Sequence, residues 1–213
     1  MSTLLLILGA VALSWLSWIS LQSLLQARAL YRLARSAAVE PDEFGRQAVR
    51  GRVRVRQPLQ KGFGDLLWCR TENQVYRRRR KSSGWSTEST QEEIATFALE
   101  TSAGPVVVAG PPTEVQGSQA RTDTHDRSGF FGWGHGHGDR RTVYTYLTVP
   151  PYATVVGRRV SAEAFGPDNK LGLLLSPFEP REAAGIEVRK GIAGLAVVTG
   201  AIVIGLVIYY GRI

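Results

Sequence analysis

Three histidines lie in or beside a Gly-rich stretch in the second half of the chain and are candidate metal ligands. His125 precedes the stretch, and His135 and His137 lead into Asp139 in the sequence His-Gly-His-Gly-Asp. Two imidazoles and a carboxylate form a donor set that suits a divalent ion. The glycines provide no rigid frame and no second partner for the rings, so the pattern favours a flexible loop. A metal-dependent membrane enzyme is kept as an alternative hypothesis.

A basic run and one aromatic residue are candidate binding residues. The run consists of Arg77, Arg78, Arg79, Arg80 and Lys81, and the aromatic is Trp133 in the loop sequence GFFGWGHGHGD. Five adjacent positive charges could bind anionic lipid or an acidic protein partner. The alternative is a charged edge strand that discourages pairing with other chains. Trp133 is too apolar for a purely solvated linker, so we expect it to contact the domain, the membrane interface or a partner.

Catalytic and cofactor-binding motifs are not found in the sequence. Cys69 is the single cysteine, so neither an intramolecular disulfide nor a cysteine-rich zinc module can form. Its place in a strand-like run is typical of a small buried hydrophobic residue. There is no nucleotide-binding Gly pattern, no nucleophile elbow and no metalloprotease motif. The sequence therefore predicts no catalytic residue and no cofactor.

Two uncharged apolar segments, Leu4 to Leu25 and Ile192 to Tyr210, lie near the two ends of the chain. A bilayer core needs roughly 20 apolar residues in a helix, and both segments meet that length. The first has no positive charge at its start and a long apolar run, which favours an anchor over a cleaved signal. It continues without Gly or Pro to Arg35 as an amphipathic extension. We therefore predict two membrane-spanning helices, over 3–35 and 190–210.

The second apolar segment carries small residues at helical spacing. These are Ala196, Gly200, Ala201 and Gly205. Small residues four apart let another helix approach closely, so this face is a candidate for contact with the first helix. Frequent Gly and Ala in membrane helices is the alternative explanation.

The charges beside the apolar segments predict the orientation. On the domain side lie Arg28, Arg32, Arg35, Arg189 and Lys190, against Arg212 at the outer ends. Lys and Arg favour the cytoplasmic side, so we expect a cytoplasmic domain with both termini outside. Between Pro41 and Val188, 20 basic and 17 acidic residues leave a net charge of only +3. A nucleic-acid partner is not expected, because its binder would carry the excess charge on the domain itself.

The middle of the chain, residues 41–188, has the alternating pattern of strands. Val49, Gly51, Val53 and Val55 alternate with arginines, and similar short runs follow with frequent turns. This predicts a mainly β fold, a small antiparallel barrel or sandwich, flanked by the two transmembrane helices. The polar segment 117–141 is predicted to be a flexible Gly/His-rich loop.

The order of features resembles the GIDE/MULAN family of membrane ubiquitin ligases and its prokaryotic relatives, whose middle is called the BAM domain. The matching segments are Val49-Arg50-Gly51-Arg52-Val53, Pro58-Leu59, Trp68-Cys69-Arg70 with Trp85, Phe97-Ala98-Leu99-Glu100, Val155-Val156-Gly157-Arg158 and Leu173-Leu174-Leu175-Ser176. The resemblance implies a β-domain, between two membrane helices, that recognises partners.

This sequence departs from the eukaryotic ligases in one respect. In those proteins a zinc-binding RING follows the second helix, and such a module needs about eight Cys and His ligands. This sequence holds one Cys and three His. We therefore expect a membrane-anchored binding or scaffold module that recruits a protein or lipid partner, with a RING-less relative of the ubiquitin ligases as an alternative.

Overall fold

The computed structural model describes residues 3–35, 46–78, 82–125, 137–161, 164–167 and 172–210. Two long helices, α1 (Thr3–Arg35) and α2 (Pro180–Tyr210), enclose a β-domain in the chain. The strands described between them are β1 Arg46–Val55, β2 Leu59–Lys61, β3 Gly64–Arg78, β4 Ser83–Ile94, β5 Phe97–Thr101, β6 Gly104–Val108, β7 Glu114–Val115, β8 Gln119–Thr124, β9 Arg140–Thr148, β10 Tyr152–Arg159, β11 Ala164–Gly166 and β12 Leu174–Ser176.

Five strands pair in a closed ring, which makes the domain a small barrel. β1 pairs with β5, β5 with β6, β6 with β11, β11 with β10, and β10 returns to β1. β12 pairs with β10 beside the ring, and β7 pairs with β12. The β6–β11 and β7–β12 pairings are parallel and the others antiparallel. The predicted mainly β, barrel-like fold is confirmed.

The barrel is filled by alternating apolar side chains of its strands. Its core contains Phe97, Leu99, Val155, Phe165 and Leu175, all nearly inaccessible to solvent. Leu67, Trp68 and Leu147 join this core from strands β3 and β9, so the second sheet closes one side of the barrel. Alternation along the strands, which the sequence shows, is what places these residues on one face.

A second apolar cluster covers the outer face of the barrel at β1, β10 and β12. Ala48, Val156 and Leu174 are the sheet residues of this cluster, each adjacent in sequence to residues of the other face. The helices contribute Ala27, Ala29 and Leu30 from α1 and Ala183 and Ala184 from α2. The helix pair therefore packs directly on the barrel, and small side chains at the contact allow close approach.

The second sheet contains β2, β3, β9 and β8 in that order, with β4 beside β3. β4 and β8 are its edge strands within the described residues, and most of their side chains are exposed. β8 lies inside 117–141, which the sequence predicts as a loop. Its sequence Gln-Ala-Arg-Thr-Asp-Thr has no apolar face, so backbone pairing with β9 holds it rather than burial.

The second helix begins ten residues earlier than the predicted boundary at 190. Pro180 is at its first position, where a missing N–H and a fixed φ suit a helix start. Its first turns carry Arg181, Glu182 and Glu187, which is why hydropathy alone misses them. Within the described residues, one helix is long and apolar enough to cross a membrane, from Pro180 to Gly205.

The two helices pack against each other in antiparallel directions through glycines of α2. A Cβ at Gly191 would lie 2.8 Å from Leu24 Cγ, and one at Gly194 would lie 2.2 Å from Ser20 Oγ. Gly200 and Gly205, which the spacing predicts as contact residues with Ala196 and Ala201, have open space around them among the described residues. The contact therefore uses the first glycines of the apolar segment.

Gly157 lies at a close approach of strands in the barrel and provides a test of the fold. A Cβ at this position would lie 2.5 Å from Gly166 O and 2.7 Å from Leu173 Cδ1. Because backbone must move to admit a methyl group, we expect Gly157→Ala to destabilise the domain by about 1–3 kcal/mol. Thermal unfolding of the detergent-solubilised chain measures this, and Gly84→Ala is the control since Gly84 in β4 has open space. Equal melting temperatures for the two variants would contradict the packing.

Candidate functional site

Half-buried aromatic residues and arginines lie together on the second sheet. Trp85 of β4 lies beside Tyr76 of β3, with ring centroids 5.4 Å apart. The Arg141 guanidinium lies 4.1 Å from the Trp85 ring centroid, within the range of a cation–π interaction. Arg141 Nε also donates a hydrogen bond of 2.8 Å to Gln74 Oε1. These contacts fix a half-buried aromatic surface, which we call the Trp85 cluster (Tyr76, Trp85 and Arg141).

The opposite face of the same sheet carries a second aromatic group. The Phe63 ring lies 5.3 Å from Tyr144 and 4.8 Å from Tyr146, and the Arg121 guanidinium lies 5.3 Å from the Phe63 centroid. Phe63 is in the β2–β3 turn, and the two tyrosines alternate along β9. The sheet thus carries an aromatic–arginine contact on each face. Sequence analysis missed both, since the partners are separated by up to 83 positions along the chain.

The basic run lies at the end of the hairpin formed by β3 and β4. Arg77 and Arg78 are exposed at the end of β3, whereas the predicted residues Arg79, Arg80 and Lys81 lie outside the described residues. β9 begins beside them with Arg140 and Arg141, because Val75 pairs with Arg140. We call this end of the sheet, with Arg77, Arg78, Arg140 and Arg141, the basic end. The Arg77–Glu88 pair is exposed, with 3.8 Å between Nη2 and Oε1, and offsets little of this charge.

The predicted metal ligands are not brought together in the part of the chain that is described. His125 follows β8, where its Nε2 lies 2.8 Å from Thr142 Oγ1. His137 lies on the other side of β9, where its Nδ1 accepts a hydrogen bond of 3.1 Å from the Arg78 backbone N–H. His135 and Trp133 lie outside the described residues. No group of three or more His, Cys, Asp or Glu suited to a metal occurs among the residues described.

Two groups that could perform chemistry are held in unreactive states. Cys69 is fully buried in the core end of β3, and burial raises the pKa of its thiol. Lys61 and Glu93 form an ion pair of 3.0 Å beside an open groove of about 620 Å³. The hydrogen bond to Glu93 raises the pKa of Lys61, so the amine stays protonated at neutral pH. Neither residue suits nucleophilic catalysis.

A buried polar network joins the helices to the barrel, and sequence analysis missed it. Glu187 of α2 is fully buried and accepts a hydrogen bond of 2.6 Å from Gln116 Nε2 and one of 3.0 Å from Lys190 Nζ. Lys190 also contacts Glu114 of β7. Gln26 of α1, with its amide oriented to satisfy its neighbours, donates to Glu187 and Glu114. The only signal in the sequence is Glu187 and Lys190, three apart in a helix whose start is not predicted.

The network places charged side chains where the two helices meet the barrel. The burial of each charged group is therefore favourable only when its partners are in place. Two carboxylates share Lys190 as their cation, with amide donors from Gln26 and Gln116. A buried carboxylate without its partner is strongly unfavourable, whereas the intact group is roughly balanced. The network therefore favours one arrangement of α1, α2 and β7 over others.

Removal of Lys190 tests the network. We expect Lys190→Met to destabilise the chain by roughly 1–3 kcal/mol, less than for a wholly buried pair since Lys190 is 44% exposed. Adding Glu187→Gln should restore part of the loss, because a neutral amide at that site needs no counter-ion. The measurement is thermal unfolding in detergent. Arg54→Met, which breaks the exposed Arg54–Glu100 pair, is the control; a loss as large in this control would contradict the special role of Lys190.

Comparisons of the chain with protein-family models, with curated proteins and with solved structures find no match.

Proposed function

We propose that this chain is a membrane-anchored binding module that holds a small β-barrel at the membrane surface and recruits an acidic protein partner through its second sheet. The observation that carries the proposal is the basic end with its adjacent Trp85 cluster. Tryptophan, tyrosine and arginine are enriched among the residues that contribute most to protein–protein binding. In this proposal the barrel stabilises the domain, and the second sheet provides the binding surface.

Anchoring through two helices, which would make the chain a two-pass membrane protein, is part of the proposal. α2 has the length and composition of a span. α1 is 33 residues long and packs antiparallel to α2. Over its described residues α1 is less apolar, because it carries Ser20, Ser23 and Gln26. These three side chains are buried, as expected for polar groups of a membrane helix that face another helix. The polar stripe is therefore compatible with a second span.

The surface favours an acidic protein segment as the partner. Arg77, Arg78 and Arg140 are exposed at one end of the sheet, and in the sequence three further basic residues stand between β3 and β4. Arginine binds carboxylates with two parallel hydrogen bonds, and the Trp85 ring offers apolar contact beside it. β4 has an open edge among the described strands, so an extended segment could also pair with its backbone.

The resemblance to the GIDE/MULAN family and its BAM domain supports recruitment as the role. We base this proposed relationship on the order of the matching segments. The partner-recognising domain is the part that this chain and the family would share. The proposal needs no ubiquitin-transfer chemistry in this chain.

Cysteine labelling in intact cells tests the proposed orientation. In a Cys69→Ala chain, we expect a single cysteine introduced as Ser83→Cys, at the exposed start of β4, to be protected from a membrane-impermeant maleimide until lysis. The reason is the excess of basic residues on the domain side of both helices. The parent chain with Cys69 alone is the control and should label only after unfolding, because the thiol is buried. Labelling of Ser83→Cys in intact cells would place the domain on the outer side.

Site-specific photo-cross-linking tests partner recruitment at the basic end. A benzoylphenylalanine placed at Ser83 should give a discrete adduct in the native host. Arg77→Glu with Arg78→Glu should weaken it roughly tenfold, since a loss of about 0.7 kcal/mol at each exposed arginine sums to about 1.4 kcal/mol. The charge-matched control, Arg52→Glu in β1 with Arg56→Glu just after it, should retain the adduct.

A second probe position serves as the spatial control. Ser161, exposed after β10, should give no such adduct. An adduct of equal yield from both positions, or one that survives the reversal of Arg77 and Arg78, would contradict recruitment through the basic end.

A further inference from the structure

The outer edge of β8, on the side of the second sheet opposite β4, has no pairing strand among the described residues. β8 pairs with β9 over six consecutive residues without a bulge. Its sequence Gln-Ala-Arg-Thr-Asp-Thr contains no Pro and no Lys, and all of its side chains except that of Asp123 are exposed. Natural sheets protect an open edge with a bulge, a proline, lysines or a covering segment. Within the part of the chain that is described, β8 has none of these and presents its backbone to another strand.

The β8–β9 ladder shows which backbone groups of β8 face outward. The His125 N–H donates to Arg140 O at 3.0 Å, which continues the β8–β9 pairing by one residue. In an antiparallel ladder, residues that bond to the neighbouring strand alternate with residues whose N–H and C=O point to the other side. Counting back from His125, these alternate residues are Thr124, Thr122 and Ala120. Each of the three therefore directs one donor and one acceptor away from β9.

One self-pairing register uses all of these outward groups. When a second copy of β8 lies antiparallel with Thr122 opposite Thr122, Ala120 of each copy lies opposite Thr124 of the other. Each of these pairs exchanges two backbone hydrogen bonds, so the interface contains about six. Arg121 of each copy then lies opposite Asp123 of the other, because a two-fold contact repeats every pair.

The charges favour this register over its neighbours. In it, Arg121 and Asp123 form non-hydrogen-bonded pairs, in which opposite side chains are closest and opposite charges stabilise the sheet. A two-fold axis through Arg121 would place the two arginines opposite each other, and an axis through Asp123 would do the same with the two aspartates. A shift of the second copy by one residue would place outward groups opposite inward ones and break the ladder.

The contacts of Arg121 within one copy are compatible with this pair. Its guanidinium lies 5.3 Å from the Phe63 centroid, and its Nε lies 3.0 Å from Asp123 Oδ1 on the same strand. These contacts order the side chain and leave the Nη donors for a second carboxylate. The Arg121 and Asp123 side chains are 49% and 38% exposed, so the pair within one strand contributes little by itself.

We propose that β8 pairs with β8 of a second copy of this chain, antiparallel and centred on Thr122, so that the second sheets of two chains form one continuous sheet. The observation that carries the proposal is an arginine and an aspartate placed symmetrically about an outward-facing threonine on an unprotected edge. The inference goes beyond the proposed function and does not depend on it, because β8 and β4 lie at opposite edges of the sheet.

The experiment is sedimentation equilibrium of the full-length chain in density-matched detergent, with charge reversals in β8. Arg121→Asp makes both ion pairs acidic on both sides, and Asp123→Arg makes them basic on both sides. We expect each variant to dimerise roughly tenfold more weakly than the parent chain, since two attractive pairs become repulsive. An equimolar mixture of the two variants should recover the dimer, because opposite charges then face each other again. The double variant Arg121→Asp with Asp123→Arg should recover it as well.

Arg54→Asp is the control, because Arg54 of β1 also forms an exposed ion pair, with Glu100, and should leave the dimer unchanged. A parent chain that stays monomeric at all concentrations would overturn the proposal and indicate that another segment or partner occupies this edge. Dimers that resist both single reversals would place self-association elsewhere, such as on the helices, and would overturn it too. Single variants whose mixture stays monomeric would do the same, since their loss would then have another cause.

Discussion

The structure depends on one sheet region that is buried on both faces. In β10, Ala153 to Gly157 are all buried, with Val155 facing the barrel core and Val156 facing the helix pair. β12 repeats the arrangement, because Leu175 joins the first cluster and Leu174 the second. Removing either layer would leave apolar side chains of a central strand in water. The barrel and the helix pair are therefore parts of one packed unit.

Polar contacts fix the direction in which α2 leaves this unit. Arg50 Nη1 of β1 donates to Phe178 O at 2.6 Å, and Thr154 Oγ1 of β10 donates to the same oxygen at 2.8 Å. Pro180 begins the helix two residues later. Ala183 and Glu187, about one and two turns further along α2, accept hydrogen bonds from Gln116, so the start of α2 is held by both strands and by the buried network. The sheet that we propose as the binding surface takes no part in these contacts, which leaves it free to vary.

Much of the barrel could be predicted from the sequence, because its strands alternate against one core. Val49 to Val55 lie in β1, where the alternating pattern predicts a strand. β4 and β8 could not be predicted, since they bury almost no side chains and form through backbone pairing. The start of α2 was missed because its first turns carry Arg181, Glu182 and Glu187, although Ala183, Ala184 and Glu187 are buried.

Only part of the candidate site could be predicted, because some of its contacts depend on strand pairing between residues that are distant in the sequence. A run such as Arg77 to Lys81 is visible locally, whereas the Trp85 cluster needs Arg141, which the β3–β9 register brings from 56 positions away. Close approaches of the two helices occur at Gly191 and Gly194, which the spacing of small residues does not single out. Spacing identifies faces of a helix, but it does not say at what height the partner helix crosses.

The buried polar network joins residues that are far apart along the chain, and this distance has a consequence for biosynthesis. Gln26 can donate its hydrogen bond to Glu187 only after the ribosome has added a further 161 residues. At about 5–20 residues per second this interval is about 8–32 s. During that time a nascent α1 exposes Ser20, Ser23 and Gln26 without their final neighbour, and β1 lacks β10. Assembly of α1, α2 and the barrel into one unit is therefore expected to follow the synthesis of most of the chain.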